Sequence, residues 1–162
     1  MNSIRNRQAG FTLVELIIVI IILGILAATA IPRFAQMQVE ARISKLNALR
    51  GSVQEAATMV YGLTQAKSLL LTANSVTLQG QAIAITNYYP DAANGGIMAA
   101  IGSYGTAGNM AADGVATAPG AVAGLDIKVT GGQDPDTCFF NYTGAASATS
   151  PATVSTVTIT GC

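Results

Sequence analysis

"AGFTLVELIIVIIILGILAATAIPRF", Ala9 to Phe34, is the stretch on which the reading of this chain turns. From Phe11 to Ile31 it runs 21 residues with a single charge, Glu15. At 1.5 Å per residue such a helix is about 31 Å long, against a bilayer hydrocarbon core of about 30 Å. One membrane crossing fits. Arg5 and Arg7 precede the run and no acidic residue comes before Glu15, so the excess of positive charge keeps the N-terminus in the cytoplasm and sends the remainder outward.

Three readings of this run compete. A secretory signal would use Leu16–Leu26 as its apolar stretch and Ala28-Thr29-Ala30 as a small-residue cleavage site. A plain single-pass anchor would need only the length. Neither requires Glu15, and an ionisable group inside a spanning helix is by default functional, with a partner nearby. A cut between Gly10 and Phe11 would supply that partner. The new amine at Phe11 would open a helix, adding a full positive charge to the partial charge of the dipole, with Glu15 one turn away.

Basic residues, Gly10, then Phe11-Thr12-Leu13-Val14-Glu15 and an uninterrupted apolar run closely resemble the class III leader and N-terminus of type IV pilins and pseudopilins. The resemblance implies that a prepilin peptidase cleaves after Gly10 and methylates the Phe11 amine. Residues 1–10 would then be leader. It also implies that Glu15 pairs with the Phe11 amine of a neighbouring subunit during filament assembly. The physical reason is that an apolar helix gains little by leaving lipid for a bundle of like helices, so a charge pair has to set the register.

Gly24 and Pro32 punctuate the apolar run as helix breakers. Proline lacks the amide that closes the ladder and glycine weakens a helix interior, so the segment between them is where bending or local unwinding is expected. Related pilins loosen at matching places within the fibre. Beyond Pro32 the pattern turns amphipathic: Val39, Ile43, Leu46, Leu49, Val53, Ala57 and Val60 form one face of a helix. The spacing predicts a helix to about Tyr61, with Gly62 as its stop. Arg42 lies on the flank of this stripe and Arg50 within it; snorkelling over apolar surface is preferred for both over pairing with acids of another subunit.

The remaining residues, 63–162, predict one small head. Ser75–Thr86 alternates around Gly80 as two strands joined by a bend, and Tyr88–Gly102 reads as a turn followed by a short helix near Ile97–Ile101. Leu125, Ile127 and Val129 alternate, and Thr137–Thr143 with Thr153–Thr160 forms a hairpin across the exposed loop "GAASATSPA". The Gly- and Ala-rich stretch 102–124 gives no pattern. Cys138 and Cys162 are the only cysteines, and an even count outside the cytoplasm suggests a disulfide. Closing a loop of about 25 residues would stabilise by about 3.5 kcal/mol in the chain-entropy view. The fold class is therefore α+β, a pilin fold: a long N-terminal helix, spanning over 11–32 and amphipathic over 33–62, on a small antiparallel sheet. "LRGSVQEAATMVYG", "YYPDAANGGI", "TCFFNYT" and the terminal "TGC" are similar to the type IVa class, in particular its mannose-sensitive haemagglutinin pilin group.

Composition agrees with a structural role. Charged residues are only 10%, which suits a surface covered by neighbours. Eight basic residues balance eight acidic ones, leaving no footprint for nucleic acid. No histidine is present, so the usual general base and metal ligand is missing and catalysis is not expected. No cofactor is implied. Asp134 and Asp136 fall short of the six to eight oxygens that calcium takes, and Asn141-Tyr142-Thr143 is a weak glycosylation signal. The expected function is a subunit of a type IV pilus, a homopolymer used for attachment, held in the bacterial inner membrane before assembly and on the cell surface after it. The resemblance implies a prepilin peptidase, an assembly ATPase with its membrane platform, and an outer-membrane secretin as partners. The alternatives are a pseudopilin of a secretion or DNA-uptake system and a membrane-anchored monomeric binding protein.

Overall fold

The computed structural model describes residues 11–102, 115–120, 124–132 and 134–162. Gly10, the rest of the expected leader and most of the Gly/Ala-rich segment lie outside them. The chain divides into two compact units that meet in sequence between Gln38 and Val39. Helix α1, Leu13–Ala66, contributes to both.

In the first unit α1 is all there is to describe. Every described residue from Phe11 to Gln38 is exposed apart from half-buried Ala30. The helix is continuous through Gly24 and Pro32, although proline has no amide to offer the preceding turn. The Thr29 hydroxyl donates to the Leu26 carbonyl at 3.0 Å, so the polar group of this apolar stretch is satisfied locally.

In the second unit α1 buries Leu46, Val53, Ala56, Ala57, Val60 and Thr64. Four of these fall on the stripe read from the sequence; Ile43 and Leu49 pack at its edge, and Val39 stays 37% exposed. The helix does not stop at Gly62. Leu63 and Thr64 continue the inward face, and their burial outweighs the cost of an interior glycine, about 1 kcal/mol. The stop comes at Ser68, whose φ of 48° opens a Schellman turn: its amide reaches Gln65 O at 3.0 Å and the Leu69 amide reaches Thr64 O at 3.1 Å.

Two antiparallel sheets complete this unit. The first joins β1 (Ser75–Leu78), β2 (Gln81–Thr86) and β3 (Tyr89–Pro90). Both of its turns are two residues long with positive φ at each, 49° and 83° at Gln79-Gly80 and 53° and 73° at Asn87-Tyr88, the geometry that matches strand twist. The sequence reading missed β3, because Tyr88 is a bulky residue in a turn position that favours glycine or asparagine. A π-helical turn at Asn94–Met98 follows, starting earlier than the expected helix. Gly96 is needed there, since a Cβ would lie 2.3 Å from the Asp91 carbonyl oxygen.

The second sheet runs in the order β4 (Val115–Pro119), β5 (Leu125–Val129), β6 (Phe139–Thr143) and β7 (Thr153–Val154). Strand β4 lies in the stretch that showed no pattern. The expected hairpin to Thr160 is interrupted: Thr143 pairs with Thr153 and Tyr142 with Val154, but Phe139 pairs with Thr158, one residue out of step. The extra residue lies at Thr156-Val157, opposite Phe140; just before it Ser155 still donates its amide to Asn141 O at 2.9 Å, while its hydroxyl accepts the Asn141 amide at 2.9 Å.

The core has two parts. Leu46, Val53, Ala56 and Ala57 face Ile127, Phe140, Tyr142 and the cysteine pair, whereas Val60 faces Val76, Ile83, Ile85 and Ala99. The Tyr142 hydroxyl donates to the Pro90 carbonyl at 2.8 Å and so ties the two sheets together. Tyr61 stacks on Tyr89 with ring centroids 4.7 Å apart, tying α1 to β3.

Candidate assembly site

Thr12 is the residue that starts α1. Its hydroxyl accepts the Glu15 amide at 3.3 Å, and the Glu15 carboxylate reaches back through Oε2 to the Thr12 amide at 2.9 Å and the Thr12 hydroxyl at 2.8 Å. This is a capping box, which satisfies two amides that a helix start leaves without partners. The sequence reading assigned Glu15 to charge pairing alone. The signal that would have found the cap is the spacing Thr-x-x-Glu ahead of an apolar run.

The arrangement has a consequence for recognition. Oε2 holds both local donors, while Oε1 has no partner among the described residues. The carboxylate is therefore restrained by its own helix through one oxygen, while the other is without a partner among the described residues. Phe11, which would carry the cation after cleavage, is 95% exposed beside it. Gly10 lies outside the described residues, so Phe11 and Glu15 are the members of the expected site that the structure places.

The other expected pair is brought together. Cys138 and Cys162 form a disulfide with S–S 2.05 Å, buried in the second unit. The surrounding turn is close-packed: a Cβ on Gly161 would meet the Thr137 hydroxyl at 2.0 Å and the Asp134 carbonyl at 2.2 Å. Arg42 donates through Nε to the backbone oxygen of Cys162, and Arg50 through Nε to Ser155 O at 2.7 Å. The two arginines thus do more than cover apolar surface. They hold the end of the head to α1.

The aspartates of the 134–136 turn and Asn141 also have partners. Asp136 pairs with the Lys128 ammonium at 2.7 Å, and Asp134 accepts the Asp136 amide at 3.0 Å. The Asn141 side-chain amide donates to buried Asp126 at 2.8 Å, and its oxygen accepts the Thr143 hydroxyl at 2.8 Å.

A capped, uncovered apolar helical unit and a disulfide-closed antiparallel head sharing one helix define a pilin-like α+β architecture. Residues 5–31 match the prokaryotic N-terminal methylation motif. The chain is 47% identical over 55 residues to a fimbrial protein of Pseudomonas aeruginosa, covering 32% of this chain and 36% of the relative. It is 46% identical over 50 residues to the type IV narrow pilus major component PilA5 of Thermus thermophilus, covering 31% and 43%. With the type IV major pilin protein PilE1 of Neisseria gonorrhoeae the figures are 44% over 61 residues, 38% and 35%. The matches span less than half the length of these relatives. No solved structure matches this chain. Together these findings support a type IV pilin with a class III leader.

Proposed function

We propose that this chain is the structural subunit of a type IV pilus, polymerising through the apolar part of α1 into a surface filament used for attachment. One observation carries the reading: a helical unit of membrane length, with no residue of its apolar window buried, opens on a single acid held in a capping box. Residues 1–10 act as leader. Cleavage after Gly10 creates a Phe11 amine, which is then methylated, and Glu15 of one subunit pairs with that amine on the next. The span from Gly24 to Pro32 loosens when lipid is exchanged for neighbouring helices. Before assembly the subunit crosses the inner membrane once with its N-terminus in the cytoplasm. The partners are a prepilin peptidase, an assembly ATPase with its membrane platform, and a secretin.

The test is mass spectrometry of material sheared from the surface of cells expressing the full chain. A fibre-forming polypeptide beginning at methylated Phe11 is the expected result. A surface protein that retains residues 1–10, or that begins beyond Ala30, overturns the reading.

A further inference from the structure

Two features of the second unit are unused by the reading above and complement each other. The first is a knob at the end of α1. The Schellman turn directs Leu69 onto the Val60 cluster and leaves the next two residues outside, Leu70 at 75% exposure and Leu71 at 47%. The turn is held by four backbone bonds, from Lys67 to Leu63, Ser68 to Gln65, Leu69 to Thr64 and Ala73 to Leu70, between 2.9 and 3.1 Å. Lys67 beside them is exposed and has no ion-pair partner among the described residues. A rigid turn thus presents two leucines and a cation to solvent.

The second is a cleft of about 400 Å³ between α1, the β1–β2 turn and the segment after the π-helical turn. Met59, Leu78 and Ile101 give it apolar walls, Ser52 and Gln81 line it, and Glu55 is its one charged group. Glu55 is exposed and also lacks an ion-pair partner among the described residues. Knob and cleft match in both characters, leucines against apolar walls and ammonium against carboxylate.

One copy cannot join them itself. Glu55 and Lys67 are twelve residues apart along α1, about 18 Å at helical rise, beyond the reach of the two side chains. The geometry points to a contact between copies: the Lys67-Leu70-Leu71 knob of one subunit seats in the Glu55 cleft of a second copy of this chain. The two surfaces differ, so the contact is head-to-tail, the kind that extends a filament wherever its rotation does not close a ring, and not the self-matching contact of a two-fold dimer. The inference rests on the filament reading and adds to it a contact between heads.

The experiment uses the full chain in a pilus-forming host. Ser52→Cys and Leu71→Cys are introduced together and singly, and sheared fibres are treated with a short bis-maleimide; the native cysteines are joined and buried, so only the new thiols react. A ladder of covalent oligomers from the double variant, absent from either single variant, is the expected result. Double-variant fibres without a ladder overturn the contact, as does cross-linking to a different protein. Independently, Lys67→Glu and Glu55→Lys should each lower fibre yield about tenfold, and the two combined should restore it to within about twofold. Equal yields from all three overturn the pairing. If the unsubstituted chain yields no fibres, the filament reading itself fails, which separates the two outcomes.

Discussion

Reduction of the Cys138–Cys162 disulfide should loosen the unfolded chain far more than the native head. The two residues are 24 apart in sequence, so the bond closes a loop of about 25 residues. Loop closure on that scale is worth about 12 cal/mol/K, or about 3.5 kcal/mol at 25 °C. The native turn has other fastenings: Phe139 and Thr158 exchange two backbone bonds at 3.1 and 2.8 Å, Asp134 and Thr137 bond to Gly161 at 3.2 and 3.1 Å, and Arg42 holds the Cys162 backbone oxygen. The reduced head should therefore keep its structure and lose only stability. For the unit Val39–Cys162, 124 residues counted inclusively, the unfolding entropy is about 0.26 kcal/mol/K, so the midpoint should fall by about 13 °C. Thermal melts of the full chain in detergent micelles, followed by far-UV circular dichroism with and without reductant, measure the fall, and a thiol count confirms reduction. A fall below about 3 °C would refute the loop-entropy reasoning. Rapid amide exchange across β6 and β7 in the cold, reduced protein would show that the bond and not its neighbours holds the turn.

Glu15→Gln keeps a side chain able to close the capping box but removes the charge; membrane levels should stay near wild type while sheared fibre falls at least about tenfold, and normal fibre from this variant would leave the carboxylate a capping role only. Burial, reinforced by the charge of Asp91 and by Tyr89, holds the Tyr142 hydroxyl above the ordinary tyrosine range. A pKa raised on folding gives stability that is complete below pH about 10 and is lost as pH rises further, by up to about 1.4 kcal/mol per pH unit. Denaturant titrations between pH 8 and 12 should show that decline in the parent chain and a flatter profile in Tyr142→Phe. Gly161→Ala drives a Cβ into the backbone oxygen of Asp134, and backbone cannot swing aside as a side chain can, so the head should lose about 1–3 kcal/mol, read as a lower denaturant midpoint.

What the sequence determined alone was whatever depends on residues near one another in the chain. Membrane-length apolarity, the lone acid at its mouth and the N-terminal methylation motif are read within Arg5–Ile31. The stripe of α1 follows from helical period, and the strands at Leu125–Val129 and Phe139–Thr143 follow from alternation. Two cysteines left one pairing possible. The capping box was equally local and was legible in Thr12-x-x-Glu15, but the charge argument obscured it.

Only tertiary structure decided the rest, because those features depend on which distant atoms are left wanting partners. Gly62 is an adequate stop in isolation, and Thr64 draws the helix past it by burying against the sheet with its hydroxyl on Tyr61 O and Tyr88 O. Arg42 and Arg50 found backbone oxygens more than a hundred residues away, a choice no spacing encodes. The bulge at Thr156-Val157 shifts one edge of a hairpin by a single residue, and strand period alone carries no record of that shift.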